Sequence, residues 1–232
     1  MPITLRMSST NRSSVPKRLL AWLAISGLLA AFGWGIAGRI DLPQVNAFFA
    51  VCSLLALGAS LTIDADLASK RLQPGQTSED PWRLAAIRGL FLATFVVSLL
   101  DVGRLHASDS VPAHVRAGAL LISGLSLGWS LWAVRSNRFF IPVIRIQSER
   151  GHRVVSSGPY GWVRHPGYAG LVLGAPAFPL ALGSWLGLLP AAIVSFLFLR
   201  RTAHEDRFLR QHLDGYEEYA GRVRYRLIPG LW

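Results

Sequence analysis

Apolar residues along this chain come in long runs separated by short polar, mostly basic stretches. Four runs lie at Leu19 to Gly38, Val45 to Ile63, Leu84 to Gly103 and His114 to Val134. A helix rises about 1.5 Å per residue, so a run of roughly 20 residues matches a bilayer core of about 30 Å. Each therefore predicts a membrane-spanning helix. A fifth run, Tyr168 to Leu199, has 32 residues and is interrupted by Pro176, Pro179, Gly183, Gly187 and Pro190. It is too long for one ordinary span and short for two.

The polar positions decide the count. Twenty of the 24 Lys and Arg residues fall in four segments, Arg6 to Arg18, Lys70 to Arg83, Arg135 to Arg164 and Arg200 to Arg226. By the positive-inside rule these segments share the cytoplasmic face. The fifth run starts and ends on that face, so it crosses an even number of times and predicts a helical hairpin turning near Gly183 to Gly187. Arms of about 15 residues, or roughly 22 Å, imply a hairpin that is tilted, thinly embedded or shielded by other helices.

The expected fold is an all-α integral membrane protein of about six apolar helices, the last two forming this short Pro/Gly-broken hairpin, followed by a cytoplasmic C-terminal helix. Both termini are expected to be cytoplasmic. Residues 1–134 form an N-terminal four-helix membrane region and residues 135–232 a second region of loop, hairpin and tail. The first run is longer than a signal-peptide core and lacks a small-x-small cleavage site, so it reads as a span. Gln73 to Asp80 reads as an exposed cytoplasmic loop. Gly124 and Gly128, Gly170 and Gly174, and Gly183 and Gly187 are each four apart, as close helix contacts require.

Composition sharpens this picture. The 232 residues carry a formal charge of +11, yet 51% are hydrophobic, 16% charged, and mean hydropathy is +0.36. Those values exclude a disordered or fibrous chain. The basic excess reads as membrane topology and anionic-lipid contact, with no nucleic-acid partner. The single cysteine, Cys52, lies inside an apolar run, which excludes an internal disulfide and a cysteine-based metal site.

Two motifs lose to simpler readings. Gly33-Trp34-Gly35-Ile36-Ala37-Gly38 matches the dinucleotide fingerprint formally, but no strand precedes it and it ends a spanning helix. His204 and His212 are eight apart, about 12 Å along a helix, whereas ligands to one ion sit three or four apart. No metal is expected.

The informative stretch runs from Arg145 to Tyr168. Gly158 and Pro159 fix a turn, and Pro166 opens the next helix with His165 and Tyr168 held beside it. The second stretch is Arg200 to Leu209, where Arg201 and Glu205 share a helix face four residues apart. The hairpin returns this face to the Arg164 to Tyr168 loop.

Gly158-Pro159-Tyr160, Arg164-His165-Pro166-Gly167-Tyr168, Arg201, Glu205-Asp206, Tyr216, Tyr219 and Arg226-Leu227-Ile228-Pro229 together resemble the isoprenylcysteine carboxyl methyltransferase family of integral-membrane enzymes. The related phospholipid N-methyltransferases share part of the pattern. The resemblance covers about the last 90 residues. It implies S-adenosyl-L-methionine as cofactor, held by His152, Arg153, Val154, Val155, Tyr160, His165, Pro166, Gly167 and Tyr168, with Glu205 beside it. It implies a substrate-facing, catalytic role for Arg201, with Glu205 as the second catalytic residue. Glu205-Asp206 stands where the family usually has Glu-Glu, and Asp214-Gly215 where Phe-Gly is common.

Methyl transfer from a sulfonium is an in-line displacement, so the protein's task is to align donor and acceptor and exclude water. A carboxylate with a pKa near about 3.5 is already ionised and needs a cation to hold it, whereas an ammonium must first lose a proton. Arg201 therefore favours O-methylation of a lipidic carboxylate, such as a C-terminal isoprenylcysteine, entering from the bilayer. The competing readings are phosphatidylethanolamine N-methylation, a non-catalytic membrane scaffold, and a nicotinamide-dependent membrane reductase.

Overall fold

The computed structural model describes residues 15–72 and 81–232, so Arg6, Arg12 and the expected Gln73 to Asp80 loop lie outside the described residues. The described residues are helical or irregular, with no strand among them. The helices are α1 (Val15–Ala37), α2 (Pro43–Thr62), α3 (Ala65–Leu72), α4 (Pro81–Leu100), α5 (Ala113–Ser136), α6 (Pro166–Leu182), α7 (Leu188–His212) and α8 (Tyr216–Arg222). One π-helical turn, Asp101–Leu105, extends α4. Four helices are long and apolar enough to cross a membrane, over Val15–Ala37, Pro43–Thr62, Trp82–Leu105 and Ala113–Ser136, and α6 is a shorter apolar helix. The chain is a multi-pass membrane protein.

Local chemistry sets the helix ends. Pro43 and Pro166 occupy the first turns of α2 and α6, where the missing N–H costs nothing. The glycine motif at the end of α1 is a C-terminal cap. Gly38 takes φ +75°, and Arg104 donates to the carbonyls of Ile36 at 2.7 Å and Gly35 at 3.0 Å, satisfying oxygens that have no partner within the helix. Gly33 lies where a side chain would strike Phe49.

Helices α6 and α7 form a hairpin with Gly183, at φ +96°, capping α6, and with Gly187 directly before α7. Pro176 inside α6 removes an N–H and leaves the Val172 carbonyl, four residues back, without its helical partner. Ser195 of α7 supplies one at 3.2 Å. Buried Asp101 ties the far end of the hairpin to α4: it accepts hydrogen bonds from Ser184 at 2.5 Å, from Ser108, and from the Ala107 amide at 3.1 Å. The second arm does not stop at Leu199 but continues unbroken to His212, so Arg201, Glu205 and Asp206 ride on an extension of the arm itself.

A phenylalanine cluster joins α2, α4 and α6. The Phe178 ring lies 5.8 Å from Phe48, 5.6 Å from Phe91 and 5.9 Å from Phe95. Helices α5 and α6 approach closely along Gly170 and Gly174. A Cβ at Gly170 would run into Ser130 and the Ser126 carbonyl, and one at Gly174 would come within 3.2 Å of Ser126. Gly124 meets only Val51, and Gly128 faces open space, so that spacing does not mark a paired contact.

Candidate functional site

The loop after α5 is built from the inside. Buried Gln147 donates to the Phe139 carbonyl at 2.7 Å and accepts from Arg150 at 2.7 Å. Arg150 also donates to the Arg138 carbonyl at 2.9 Å and to Asp66 of α3 at 2.5 Å. His152 stacks on Phe139 at 4.6 Å and accepts the Gln147 N–H at Nδ1, 3.3 Å. Burial pushes the His152 pKa down. A neutral ring accepting at Nδ1 carries its proton on Nε2. Gly158 takes φ +59° and starts the short turn Gly158–Gly161, in which Tyr160 is buried.

The other wall comes from α7 and the tail, organised around Asp206, which is fully buried. Its carboxylate accepts from Arg164 Nε at 2.7 Å, Tyr216 Oη at 3.0 Å and Arg226 Nε at 3.0 Å, with His165 at 3.3 Å. Burial alone would raise its pKa, but the hydrogen bonds from His165, Arg164 and Arg226 hold it far below the usual carboxylate range. Arg164 donates further to the carbonyls of Val223 and Arg224, at 2.8 and 2.7 Å, and the Arg164 and His165 amides bond Tyr225 and Arg226. The tail is thereby pinned across the start of α6. Tyr219 donates to the Tyr160 carbonyl at 2.7 Å, and burial pushes the pKa values of both Tyr216 and Tyr219 up.

These elements enclose about 440 Å³ of empty space, partly open to solvent. Of the residues expected to hold a cofactor, His152, Arg153, Val154, Val155, Tyr160, His165 and Glu205 all line it. Pro166, Gly167 and Tyr168 are buried and do not: Gly167 sits where a side chain would strike Phe140, and Tyr168 lies behind His165, the two rings parallel at 6.0 Å. Asn137, Phe140, Arg164, Leu209, Leu213, Tyr216 and Tyr219 complete the lining, none of them on the expected list. Leu209 and Leu213 follow Glu205 at spacings of four, so helical periodicity was the available signal for them.

Arg201 and Glu205 share a face, but Tyr168 stands between them. The Tyr168 hydroxyl donates to Glu205 at 2.7 Å and accepts from Arg201 Nε at 2.9 Å. Arg201 also donates through Nη2 to the Pro142 carbonyl at 2.5 Å, which leaves Nη1 as its uncommitted nitrogen. Arg201 thus keeps both N–H groups of Nη1 and a second one on Nη2 for a carboxylate while it is held by Tyr168 and Pro142. On the far side of the same segment Arg71 of α3 donates to the Phe140 carbonyl at 2.9 Å and lies over the Phe140 ring at 5.1 Å. Nothing in the sequence spacing signalled Arg71. Trp162 lies outside the pocket, 62% exposed, in contact with Trp129 and Trp132.

One departure from the family pattern has a structural reading: Asp206 is the buried hub, with a side chain short enough to sit among its donors. Gly215, which both patterns share, takes φ +76° at the entry to α8. No group of three potential metal ligands occurs among the described residues, and His204 and His212 lie two turns apart on α7.

The model of the isoprenylcysteine carboxyl methyltransferase (ICMT) family matches residues 122–211. A rice protein (Oryza sativa subsp. indica) named "Probable protein-S-isoprenylcysteine O-methyltransferase" is 37% identical over 95 residues, which are 40% of this chain and 50% of that protein. The protein-S-isoprenylcysteine O-methyltransferase of Schizosaccharomyces pombe is 28% identical over 92 residues, 39% of each chain. The Delta(14)-sterol reductase of the same yeast is 32% identical over 90 residues, 38% of this chain but 21% of the reductase. The chain thus spans half or less of the length of these relatives. The matched segment runs from α5 through the pocket loop and hairpin to Gln211, and over that segment the chain is similar to the isoprenylcysteine carboxyl methyltransferase family.

Proposed function

We propose that this chain is a membrane methyltransferase that uses S-adenosyl-L-methionine to O-methylate a lipidic carboxylate, such as a C-terminal isoprenylcysteine. The observation that carries the reading is the Arg201–Tyr168–Glu205 chain. It links a cation suited to a carboxylate directly to a side chain that lines the enclosed pocket.

The pocket's chemistry fits the cofactor. Tyr160 Oη is buried without a hydrogen-bond partner; Asn137 faces it without completing one of ordinary geometry. A buried hydroxyl left in this state is costly, and a polar ligand atom would relieve it. Phe140, Val154, Val155, Leu209 and Leu213 give apolar wall for a flat heterocycle, while Arg153 and Glu205 offer one charge of each sign for an amino-acid group. When bound, S-adenosyl-L-methionine supplies an electrophilic methyl group. The protein's part is to hold that group dry and in line with the acceptor. Arg201 Nη1 orients the acceptor carboxylate, which is already ionised at neutral pH and needs no base. Tyr168 fixes the guanidinium and passes its orientation to Glu205.

The test is transfer of labelled methyl from S-adenosyl-L-methionine by the purified protein to farnesylated cysteine and, separately, to phosphatidylethanolamine vesicles. Base-labile label on the prenylcysteine, lost in Glu205→Ala and reduced about tenfold in Tyr168→Phe, is the expected result. Base-stable label in the lipid would replace the reading with N-methylation. The likeness to the sterol reductase favours one second reading, a nicotinamide-dependent reductase. Binding of NADPH with no binding of S-adenosyl-L-methionine would establish it instead.

A further inference from the structure

A second cavity lies outside the pocket, where α2 and α5 end. It is a recess open to solvent on one side, with about 1070 Å³ of empty space including that opening, and is lined by Thr62, Ile63, Asp64, Asp66, Leu67, Arg135, Arg138 and Arg150. Both helices are long enough to cross a bilayer and terminate here, α2 at Thr62 and α5 at Ser136, so the cavity sits at headgroup depth. The surface running away from it along the two helices is apolar and exposed, with Leu54 and Leu61 on α2 and Trp132 on α5. A tryptophan at that depth marks the boundary between hydrocarbon and headgroups.

The charges in the cavity are not balanced pairwise. Arg150 is committed, since its guanidinium holds Asp66 at 2.5 Å, the Arg138 carbonyl and Gln147. Asp64 accepts the Asp66 amide at 2.8 Å, which starts α3. Arg135 and Arg138 have no carboxylate partner among the described residues, and the Arg138 guanidinium rests over the Phe139 ring at 5.5 Å. Two unpaired guanidinium groups thus face one cavity beside a single spare carboxylate, above an apolar surface. That is the complement of an anionic lipid, with phosphate above and chains below.

We propose that this cavity binds the phosphate headgroup of an anionic phospholipid, gripped by Arg135 and Arg138, with the acyl chains lying along α2 and α5. The site is separate from the cofactor pocket and does not depend on the methyl-transfer reading. Through Arg150 it adjoins the brace that shapes the pocket loop.

The test is native mass spectrometry of the full chain released from bilayers of equal phosphatidylglycerol and phosphatidylcholine with matched acyl chains. Wild type should retain phosphatidylglycerol roughly thirtyfold over phosphatidylcholine, the scale expected of two interfacial arginines at about 1 kcal/mol each. Arg135→Gln/Arg138→Gln should fall to no preference, and Arg200→Gln, a charge removed elsewhere on the surface, should keep it. Thermal unfolding of each variant checks that the fold survives, and Arg135→Lys/Arg138→Lys, which keeps both charges, should retain most of the preference. Equal retention of the two lipids by wild type, or a preference unchanged in the Gln double variant, would overturn the proposal. Displacement of bound phosphatidylglycerol by millimolar inorganic phosphate alone would also overturn it, since the acyl chains would then contribute nothing.

Discussion

Asp206 shows how one buried carboxylate organises residues far apart in sequence. It has no contact with water and gathers donors from the turn before α6, from α8 and from the tail, so its charge is compensated by Arg164, Arg226, His165 and Tyr216 together. Removing the charge leaves the buried Arg164 guanidinium uncompensated, an effect of about 3–5 kcal/mol. Asp206→Asn should therefore unfold at a clearly lower temperature and lose cofactor binding, while an unchanged melting temperature would refute the hub. The pH dependence follows from the same contacts. The folded pKa lies below the unfolded value, so this stabilisation is complete above about pH 4 and is lost as pH falls further, through the folded pKa. Acid titration of wild type against Asp206→Asn, followed by tryptophan fluorescence, should show that component in wild type alone.

At the scale of elements, the close approach of α5 and α6 and the docking of α3 both bear on the pocket. Gly170 faces the Ser126 carbonyl, which is backbone and cannot swing aside. Gly170→Ala must push the helices apart, at about 1–3 kcal/mol. Gly128→Ala, facing open space, should be neutral, and equal melting temperatures for the two variants would show that this packing is not tight. Helix α3 is polar and short, and the apolar pattern gives no sign of it. It nevertheless grips the pocket loop twice, through Asp66 to Arg150 and Arg71 to Phe140. Arg71→Ala frees the Phe140 ring, which lines the pocket, without removing any residue from the lining. Cofactor KM should rise several-fold with kcat little changed, and Arg71→Lys, which keeps a donor for the carbonyl, should recover part of the loss. A fall in kcat at constant KM would place Arg71 elsewhere in the reaction.

For the whole molecule, the arrangement of charge implies that the pocket loop and the Ala107–Val111 connection lie on opposite faces of the membrane. With Cys52→Ser as background, Gly151→Cys and Asp109→Cys should react with a membrane-impermeant maleimide from opposite sides of sealed vesicles. Labelling of both from one side would overturn the topology. Long apolar runs and a 32-residue segment bounded by arginines made the helices and the hairpin turn legible, because a helix in lipid satisfies its own backbone hydrogen bonds and needs only length and hydropathy. The motif residues His152, Tyr160, His165 and Glu205 could be read for the same segment because turn-forming Gly158-Pro159 and helix-opening Pro166 act locally.

Tertiary structure alone decided what those residues do to one another. It set Tyr168 between Arg201 and Glu205, committed two of the three Arg201 nitrogens, and made Asp206 the buried centre of the tail's attachment. It also brought Arg71 across from the N-terminal region, 69 positions from the carbonyl it holds. Hydropathy along a chain is a sum over neighbours in sequence and so determines which segments enter the membrane. Hydrogen-bond partners and burial depend on neighbours in space, and only the packed helices supply those.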